Sequence, residues 1–148
     1  MQNAECKMQN YGFFLLLFFF VAVLPPLADN RPVFAEYSGN YCFYISENHA
    51  AKIEFCDTAD AAALKSKLSG IKGESVSFAG DMQAIDNILK KYAVNIVRRE
   101  QTGGIVCYYG VSQVLPKGVF IGKEYVNIQV VINSGQVTVG TPIIYAGF

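Results

Sequence analysis

Near the C-terminal end of the chain, apolar and polar residues alternate with the period of a β-strand. The alternation runs through residues 125–132 and returns in residues 136–139. The sequence between them is typical of a tight turn, and we place its tip at Ser134-Gly135. This tip predicts the pairs Asn133 with Gln136, Ile132 with Val137, and Val130 with Val139. Because apolar side chains then meet across the pair, the pattern predicts a hairpin with one apolar face.

Two upstream segments have the period of an amphipathic helix and are expected to cover that face. The first begins at Asp57-Thr58, which can cap it, and ends at Gly70. The second, more strongly patterned, begins at Gly80-Asp81. The predicted inward positions are Ala61, Leu64 and Leu68 in the first helix, and Met82, Ile85, Ile88, Leu89 and Tyr92 in the second. We expect both helices to pack on the sheet.

The remaining alternating segments are predicted to be strands of the same sheet. They are Tyr41–Ser46 and Lys52–Cys56 as a first hairpin, Glu74–Phe78 between the helices, Asn95–Glu100 and Ile105–Val111 as a second hairpin, and Val119–Ile121. Helices grouped before a run of antiparallel strands indicate an α+β fold. The prediction is an antiparallel sheet of hairpins covered on one face by two helices, with the other face bare or bound by a partner.

The positions of the turns predict which residues oppose each other in the two upstream hairpins. With residues 47–51 as the first loop, Cys42 lies directly opposite Cys56, and Ile53 and Phe55 share the apolar face. Outside the cytoplasm, Cys42 and Cys56 could form a strained disulfide or stay reduced, and both readings are open. With Thr102-Gly103 as the tip of the second hairpin, Arg98 opposes Cys107, which has no predicted disulfide partner.

The apolar N-terminal part of the sequence predicts that the protein is exported. Residues 12–24 form an apolar run without charge, preceded by Lys7 and followed by the helix-ending pair Pro25-Pro26. Residues 1–28 are therefore predicted to be a signal peptide or an uncleaved N-terminal membrane anchor. Residues 29–37 are interpreted as a linker, and residues 38–148 as a single domain. The predicted localisation is extracytoplasmic, either secreted or anchored to the cytoplasmic membrane.

Charge and residue types predict no catalytic chemistry. Lysine plus arginine and aspartate plus glutamate each number 12, so no net field would attract nucleic acid. The sole histidine, His49, is predicted on a hairpin tip, and the cysteines lack the paired spacing of a metal site. Cys107, with Arg98 opposite, is a candidate nucleophile without a nearby base. We therefore predict no enzyme activity, no cofactor and no metal.

The tyrosines suggest a contact surface instead. The sequence has 9 tyrosines and no tryptophan, and most of the tyrosines fall on or beside predicted strands. We take Tyr44, Tyr108 and Tyr109 as candidate contact residues, because such rings bury area and keep a hydroxyl for a partner. The alternative is that these rings pack across strands within a half-exposed sheet.

The C-terminal residues also resemble a known family. The run 122–148, with the motif Val139-Gly140-Thr141-Pro142, and the helix and hairpin of residues 89–109 resemble the YwmB-like proteins of Gram-positive, spore-forming bacteria. The resemblance implies an exported, membrane-proximal α+β protein with a layered fold similar to the TATA-box-binding fold, and no catalytic residues. A second likeness competes with it. Residues 74–111 look like the small N-terminal modules of secretins and TonB-type proteins, which bind other proteins by their sheet edges.

Three functions are carried forward as hypotheses. The first is an exported non-enzymatic protein-interaction domain of the cell envelope, which the family resemblance links to sporulation, with an envelope protein as partner. The second is an extracytoplasmic module that holds a small ligand or peptide between the sheet and the helices. The third is a thiol-dependent enzyme that uses Cys107.

Overall fold

The structure is a computed structural model that describes residues 30–47 and 50–147. Within these residues the chain forms nine strands and two helices. In chain order they are β1 (Asn40–Glu47), β2 (Ala50–Asp57), α1 (Thr58–Lys65), β3 (Ile71–Ala79), α2 (Met82–Lys91), β4 (Asn95–Thr102), β5 (Ile105–Val111), β6 (Val119–Ile121), β7 (Glu124–Val126), β8 (Ile128–Asn133) and β9 (Gln136–Thr141).

Seven of the strands form one sheet in the order β2-β1-β3-β9-β8-β5-β4, and β6 and β7 form a separate two-stranded ribbon. Every neighbouring pair in the large sheet is antiparallel. Residues from both helices join one hydrophobic core with one face of this sheet, which we call the helix face. The predicted α+β fold, an antiparallel sheet covered by two helices, is confirmed.

The C-terminal hairpin β8–β9 lies inside the sheet with the predicted register. Ile132 pairs with Val137 and Val130 with Val139, and the tip residue Ser134 has a positive φ of 49° beside Gly135. The predicted strand does not continue upstream, because the chain is interrupted at Asn127. The Asn127 side chain accepts from the backbone N–H of Ser112 at 2.7 Å and donates to its carbonyl at 2.7 Å, so β7 leaves the sheet.

Helix α2 packs as predicted, with one exception. The side chain of Asp81 accepts a hydrogen bond from the backbone N–H of Ala84 at 3.1 Å and caps the helix. Ile85 and Ile88 are fully buried against the sheet. Met82 was predicted to face inward but is 44% exposed, since the first turn extends past the end of the core.

Helix α1 is shorter than predicted and is held in a different way. It ends at Lys65, and Leu68 packs against the core from the turn that follows. The Asp57 side chain makes no capping hydrogen bond. Instead, the Thr58 hydroxyl accepts from the N–H of Gly39 at 2.7 Å and donates to its carbonyl at 3.0 Å, which ties the start of α1 to the start of β1.

The segment predicted as a linker is part of the core, so the linker prediction was wrong. Phe34 is fully buried, with its ring edge-on to Tyr92 at 5.4 Å between centroids. The Tyr41 hydroxyl donates to the carbonyl oxygens of Phe34 at 2.7 Å and Tyr37 at 2.8 Å, and burial raises the pKa of Tyr41 to about 12. Residues 29–37 have no hydrophobic periodicity, so their sequence gives no signal of this packing, which depends on partners distant in sequence.

An ion pair between Glu74 and Lys65 also holds the same segment against β3. The carboxylate of Glu74 in β3 accepts from the backbone N–H of Val33 and binds the Lys65 ammonium at 2.7 Å. The ammonium also donates to the carbonyl of Arg31 at 2.9 Å.

The predicted signal peptide or anchor, residues 1–28, lies outside the described residues. None of the helices in the described part of the chain is long and apolar enough to cross a membrane.

The first hairpin differs from the predicted register by one residue. Glu47 pairs with Ala50, which leaves a shorter loop than predicted, and Cys42 lies opposite Phe55. Cys42 and Cys56 therefore project from opposite faces of the sheet, and both are free. Of the two alternatives that the sequence left open, this geometry excludes the disulfide and agrees with two reduced thiols. The same slip moves Ile53 and Phe55 to the face away from the helices.

The second hairpin also differs, by two residues. Its turn lies at Gly103-Gly104, both with positive φ, and a bulge follows Ile96. Arg98 therefore opposes Tyr109 and not Cys107, which lies opposite Glu100. The two adjacent glycines allow the turn to form one residue later than predicted.

Candidate interaction surface

The face of the sheet opposite the helices is called the open face here. Because successive side chains of a strand point to opposite sides, every strand contributes to both faces. On strands β2, β1, β3 and β9 the open face carries Ile53, Phe55, Cys42, Tyr44, Ser75, Ser77, Gln136 and Thr138. The open face is thus polar in its centre, whereas the same strands carry apolar residues on the helix face.

A groove of about 570 Å³ runs along this part of the open face, and we call it the open-face groove. Its lining from β1, β3 and β9 includes Asn40, Cys42, Ser75, Ser77, Thr138 and Gln136. Phe55, Asp57 and Asp60 line it from β2 and α1, and Ile144, Ala146 and Gly147 line it from the chain after β9. The groove therefore lies between an edge strand and the C-terminal segment.

The floor of the groove is polar but uncharged. The hydroxyl oxygens of Ser77 and Thr138 lie 2.8 Å apart across the β3–β9 pair. Burial raises the pKa of the Cys42 thiol, against a smaller lowering by its hydrogen bond with Ser75. The thiol is thus protonated at neutral pH, and the floor offers hydroxyl and thiol groups to a ligand.

Strand β2 places exposed apolar side chains beside the groove, next to Asp57. Phe55 is 65% exposed and Ile53 is 38% exposed, both on the open face. Large exposed apolar side chains beside polar groups are typical of surfaces that bind other molecules. Sequence reasoning missed both residues, because the predicted register placed them in the core.

The chain after β9 covers another part of the open face. At the end of β9 the Thr141 hydroxyl donates to the carbonyl of Asn127 at 2.8 Å. Beyond β9, the N–H of Ile144 donates to the side-chain oxygen of Gln129 at 2.9 Å. Ile144 packs on Cys107 and Val131. This segment, which we call the C-terminal strap (residues 142–147), separates the open-face groove from β5.

The strap also carries an aromatic stack. The rings of Tyr145 and Tyr44 are parallel, with centroids 4.0 Å apart. A Cβ atom at Gly73 would lie 2.5 Å from the Tyr145 ring, so a glycine is required beneath it. The stack borders a second cleft, of about 700 Å³, whose rim includes the exposed lysines Lys72 and Lys117.

Cys107 lies beneath the strap and is only 4% exposed. Burial raises the pKa of its thiol, and smaller effects come from hydrogen bonds with Gln129 and Tyr109 and from the charges of Glu100 and Arg98. The Gln129 amide nitrogen is 3.1 Å from the sulfur. These neighbours do not include an imidazole, so the arrangement gives no support to a thiolate nucleophile at neutral pH.

Arg98 is engaged on the open face away from that thiol. Its guanidinium carbon lies 4.4 Å from the centroid of the Tyr109 ring, and one of its nitrogens lies 3.3 Å from the Glu124 carboxylate. This contact ties β4 to β7. Arg98 thus connects the two-stranded ribbon of β6 and β7 to the large sheet.

The three predicted contact tyrosines do not form one surface. Tyr44 and Tyr109 project from the open face, where Tyr145 stacks on the first and Arg98 covers the second. Tyr108 projects from the helix face, and the Nε of Arg99 donates to its hydroxyl at 3.3 Å. Each of the three rings has a packing partner within the chain, and their role as contact residues stays a prediction.

The fold and surface define a class: a small α+β domain with a seven-stranded antiparallel sheet, packed by helices on one face and open on the other. No protein-family model, curated protein or solved structure matches the chain. Among the described residues, no group of three or more His, Cys, Asp or Glu side chains is placed to hold a metal ion. His49 lies outside those residues.

Proposed function

We propose that this chain is an exported, non-enzymatic protein-interaction domain of the cell envelope, which binds its partner at the open-face groove. The observation that carries the proposal is the exposed apolar pair Ile53 and Phe55 beside a polar, uncharged groove floor. A protein partner can bury the apolar wall and hydrogen-bond to the floor at the same time.

The packing of the helix face supports the open face as the binding side. The volume between helices and sheet, which the ligand hypothesis requires, is filled by side chains with almost no exposure. These are Tyr41, Phe43, Val76, Ile85, Ile88, Ile128, Val130, Val137 and Val139. Binding there would require the core to open, whereas the open-face groove is accessible without rearrangement.

The N-terminal apolar run supports a position outside the cytoplasm. Residues 12–24 have the length and composition of an export signal. We propose that the folded part lies outside the cytoplasmic membrane, either released or held by its N-terminus. The resemblance to the YwmB-like proteins supports the further proposal that the cell is a spore-forming Gram-positive bacterium.

The decisive experiment is photo-crosslinking in cells at a matched pair of glutamines. Gln136 lines the groove on β9, and Gln83 is exposed on α2. A photoreactive residue at position 136 is expected to give an adduct with an envelope protein, while the same residue at position 83 gives none. Mass spectrometry identifies the partner, and N-terminal sequencing of the recovered chain reports whether the signal is cleaved.

Two outcomes contradict the proposal. The first is an adduct that forms equally from both positions, or from position 83 alone. The second is recovery of the chain, with its N-terminus intact, from the cytoplasmic fraction. A Ser77→Arg change should remove the position-136 adduct without unfolding the domain, because Ser77 is only half-buried in the groove floor.

A second candidate function is an extracytoplasmic module for a small ligand or peptide. The observation in its favour is the second cleft, where the stacked Tyr44 and Tyr145 rings lie beside Lys72 and Lys117. An aromatic wall with two ammonium groups suits an acidic, partly flat ligand. Native mass spectrometry of the chain purified from its own cells would show such a ligand as an added mass that is lost in Lys72→Ala/Lys117→Ala.

A further inference from the structure

Strand β2 is a long edge strand that contains neither a bulge nor a proline. It pairs with β1 over eight residues with no register shift, and no other strand among the described residues lies on its outer side. A long, regular edge presents unpaired N–H and C=O groups to any strand that approaches. Proteins commonly blunt such an edge with bulges, prolines or clustered charge.

The opposite edge strand, β4, has those protections. A bulge follows Ile96, and the next residues include the adjacent cations Arg98 and Arg99. Both arginines project towards tyrosine rings of β5, at 4.4 Å for Tyr109 and 5.7 Å for Tyr108. A second copy of β4 would meet a kinked strand with like charges, so this edge disfavours self-pairing.

The sequence of β2 is complementary to itself when reversed. Its central residues are Lys52, Ile53 and Glu54, so a positive side chain precedes the isoleucine and a negative one follows it. We propose that β2 pairs with β2 of a second copy of this chain, antiparallel and with the two-fold axis at Ile53. The sheet then continues from one copy into the other, with the helices of both on the same side.

Charge complementarity selects this register over its neighbours. Centred on Ile53, each Lys52 faces the Glu54 of the other copy, so opposite charges meet twice. Centred on Lys52 or on Glu54, like charges would face each other at the axis. In the isolated chain, Lys52 contacts Glu54 on its own strand, with side-chain exposures of 69% and 29%, so both groups remain available for exchange across the interface.

The same register removes exposed apolar surface. Ile53 faces Ile53 of the second copy, and Phe55 faces Ala51, all on the open face. The side chains that stand 38% and 65% exposed in the single chain would pack against one another. The paired side chains lie side by side in one sheet and keep their outer surface on the open face, as does the groove floor. A partner can therefore still contact both, and this inference goes beyond the proposed function.

A charge reversal tests the pairing. The full chain in mild detergent, with its N-terminal run present in every variant, is expected to sediment as a dimer. Lys52→Glu places like charges opposite each other at two positions and should weaken dimerisation by about tenfold or more. The double change Lys52→Glu/Glu54→Lys restores complementarity and should restore the dimer. Lys67→Glu, an equal charge change at an exposed position outside β2, should have no effect.

Cysteine substitution tests the register. Under a mild oxidant, Ile53→Cys should give a covalent dimer, because residues directly opposite in a sheet are within reach of a disulfide. Phe55→Cys should give much less covalent dimer, because position 55 faces position 51 of the second copy. The parent chain measures the background crosslinking from the native cysteines. A parent chain that is monomeric, a dimer indifferent to Lys52→Glu, or equal crosslinking at the two positions would overturn the proposal. The Gln136 adduct with another protein would be unaffected by any of these results.

Discussion

The two faces of this sheet come from the same strands yet differ in almost every physical property. In β1, Tyr41 and Phe43 are buried on the helix face, whereas Cys42 and Tyr44 alternate with them on the open face. The helix face is continuous and apolar, and α1, α2 and Phe34 cover it. The open face carries hydroxyl groups in its centre, and the C-terminal strap covers it over Cys107 and Val131.

This difference separates stability from recognition. The helix face has no space for a ligand, so its residues contribute to the free energy of folding. The open face near β2 retains exposed apolar side chains that contribute little to a single folded chain. We therefore expect substitutions on the two faces to have different consequences.

The largest expected effect is on the helix face. Ile88→Ala should lower the free energy of unfolding by about 2 to 5 kcal/mol, because the side chain is fully buried between α2 and the sheet. Met82→Ala on the same helix is the control and should cost less than about 1 kcal/mol, since Met82 is 44% exposed. Urea denaturation measures both free energies of unfolding. Equal losses would show that α2 is not packed on the sheet through Ile88.

A smaller effect is expected where the strap covers the open face. Ile144→Ala should cost about 2 kcal/mol, at the low end for such a deletion because the strap can relax around the change. It should also increase the rate at which Cys107 reacts with a maleimide, since Ile144 packs on this cysteine and burial raises the pKa of its thiol.

The neighbouring Ile143→Ala provides the control for that experiment, because Ile143 is less buried. Mass spectrometry of the peptide that contains Cys107 separates its reaction from that of the other cysteines. An unchanged rate in Ile144→Ala would mean that the strap is not what shields the thiol.

The smallest effect is a pH dependence at the border of the helix face. Burial acts to raise the pKa of the Glu36 carboxyl, but hydrogen bonds from Lys91, at 2.7 Å, and from Tyr92 outweigh it and lower that pKa. A lowered pKa means stability that is present above the unfolded value, about 4.3, and lost as pH falls through the folded value. The pair is partly exposed, so we expect less than about 1 kcal/mol.

The measurement is the difference in unfolding free energy between the parent chain and Glu36→Gln. That difference should favour the parent chain at pH 6 and shrink as the pH falls below the ordinary carboxyl range. A difference that stays constant from neutral to acidic pH would show that Glu36 does not couple residues 30–37 to α2.

Whether the register of a hairpin could be predicted depended on how clearly the sequence located its turn. The β8–β9 register was predicted correctly because Ser134-Gly135 is a two-residue turn flanked by apolar pairs. The β1–β2 register was wrong by one residue, because the loop sequence there contains no glycine or proline to locate the tip. That single slip concealed Phe55 and Ile53, and with them the wall of the candidate site.

Contacts between distant segments were not accessible from the sequence at all. Phe34 is buried by Tyr92 and other core residues, and the groove is bounded by residues from β2 and from the strap. Neither residues 30–37 nor the C-terminal strap have a periodicity that predicts which segment they pack against. The open-face groove therefore required the assembled sheet.

The sequence by itself determined the number and kind of most elements, the covering role of α2 and the register of the central hairpin, because hydrophobic period and turn chemistry act over a few residues. Only the tertiary structure decided the strand order, the face on which Phe55 lies and the inclusion of residues 30–37 in the core. These features depend on which distant surfaces pack together, and a shift of one residue in a single strand is enough to exchange its buried and exposed sides.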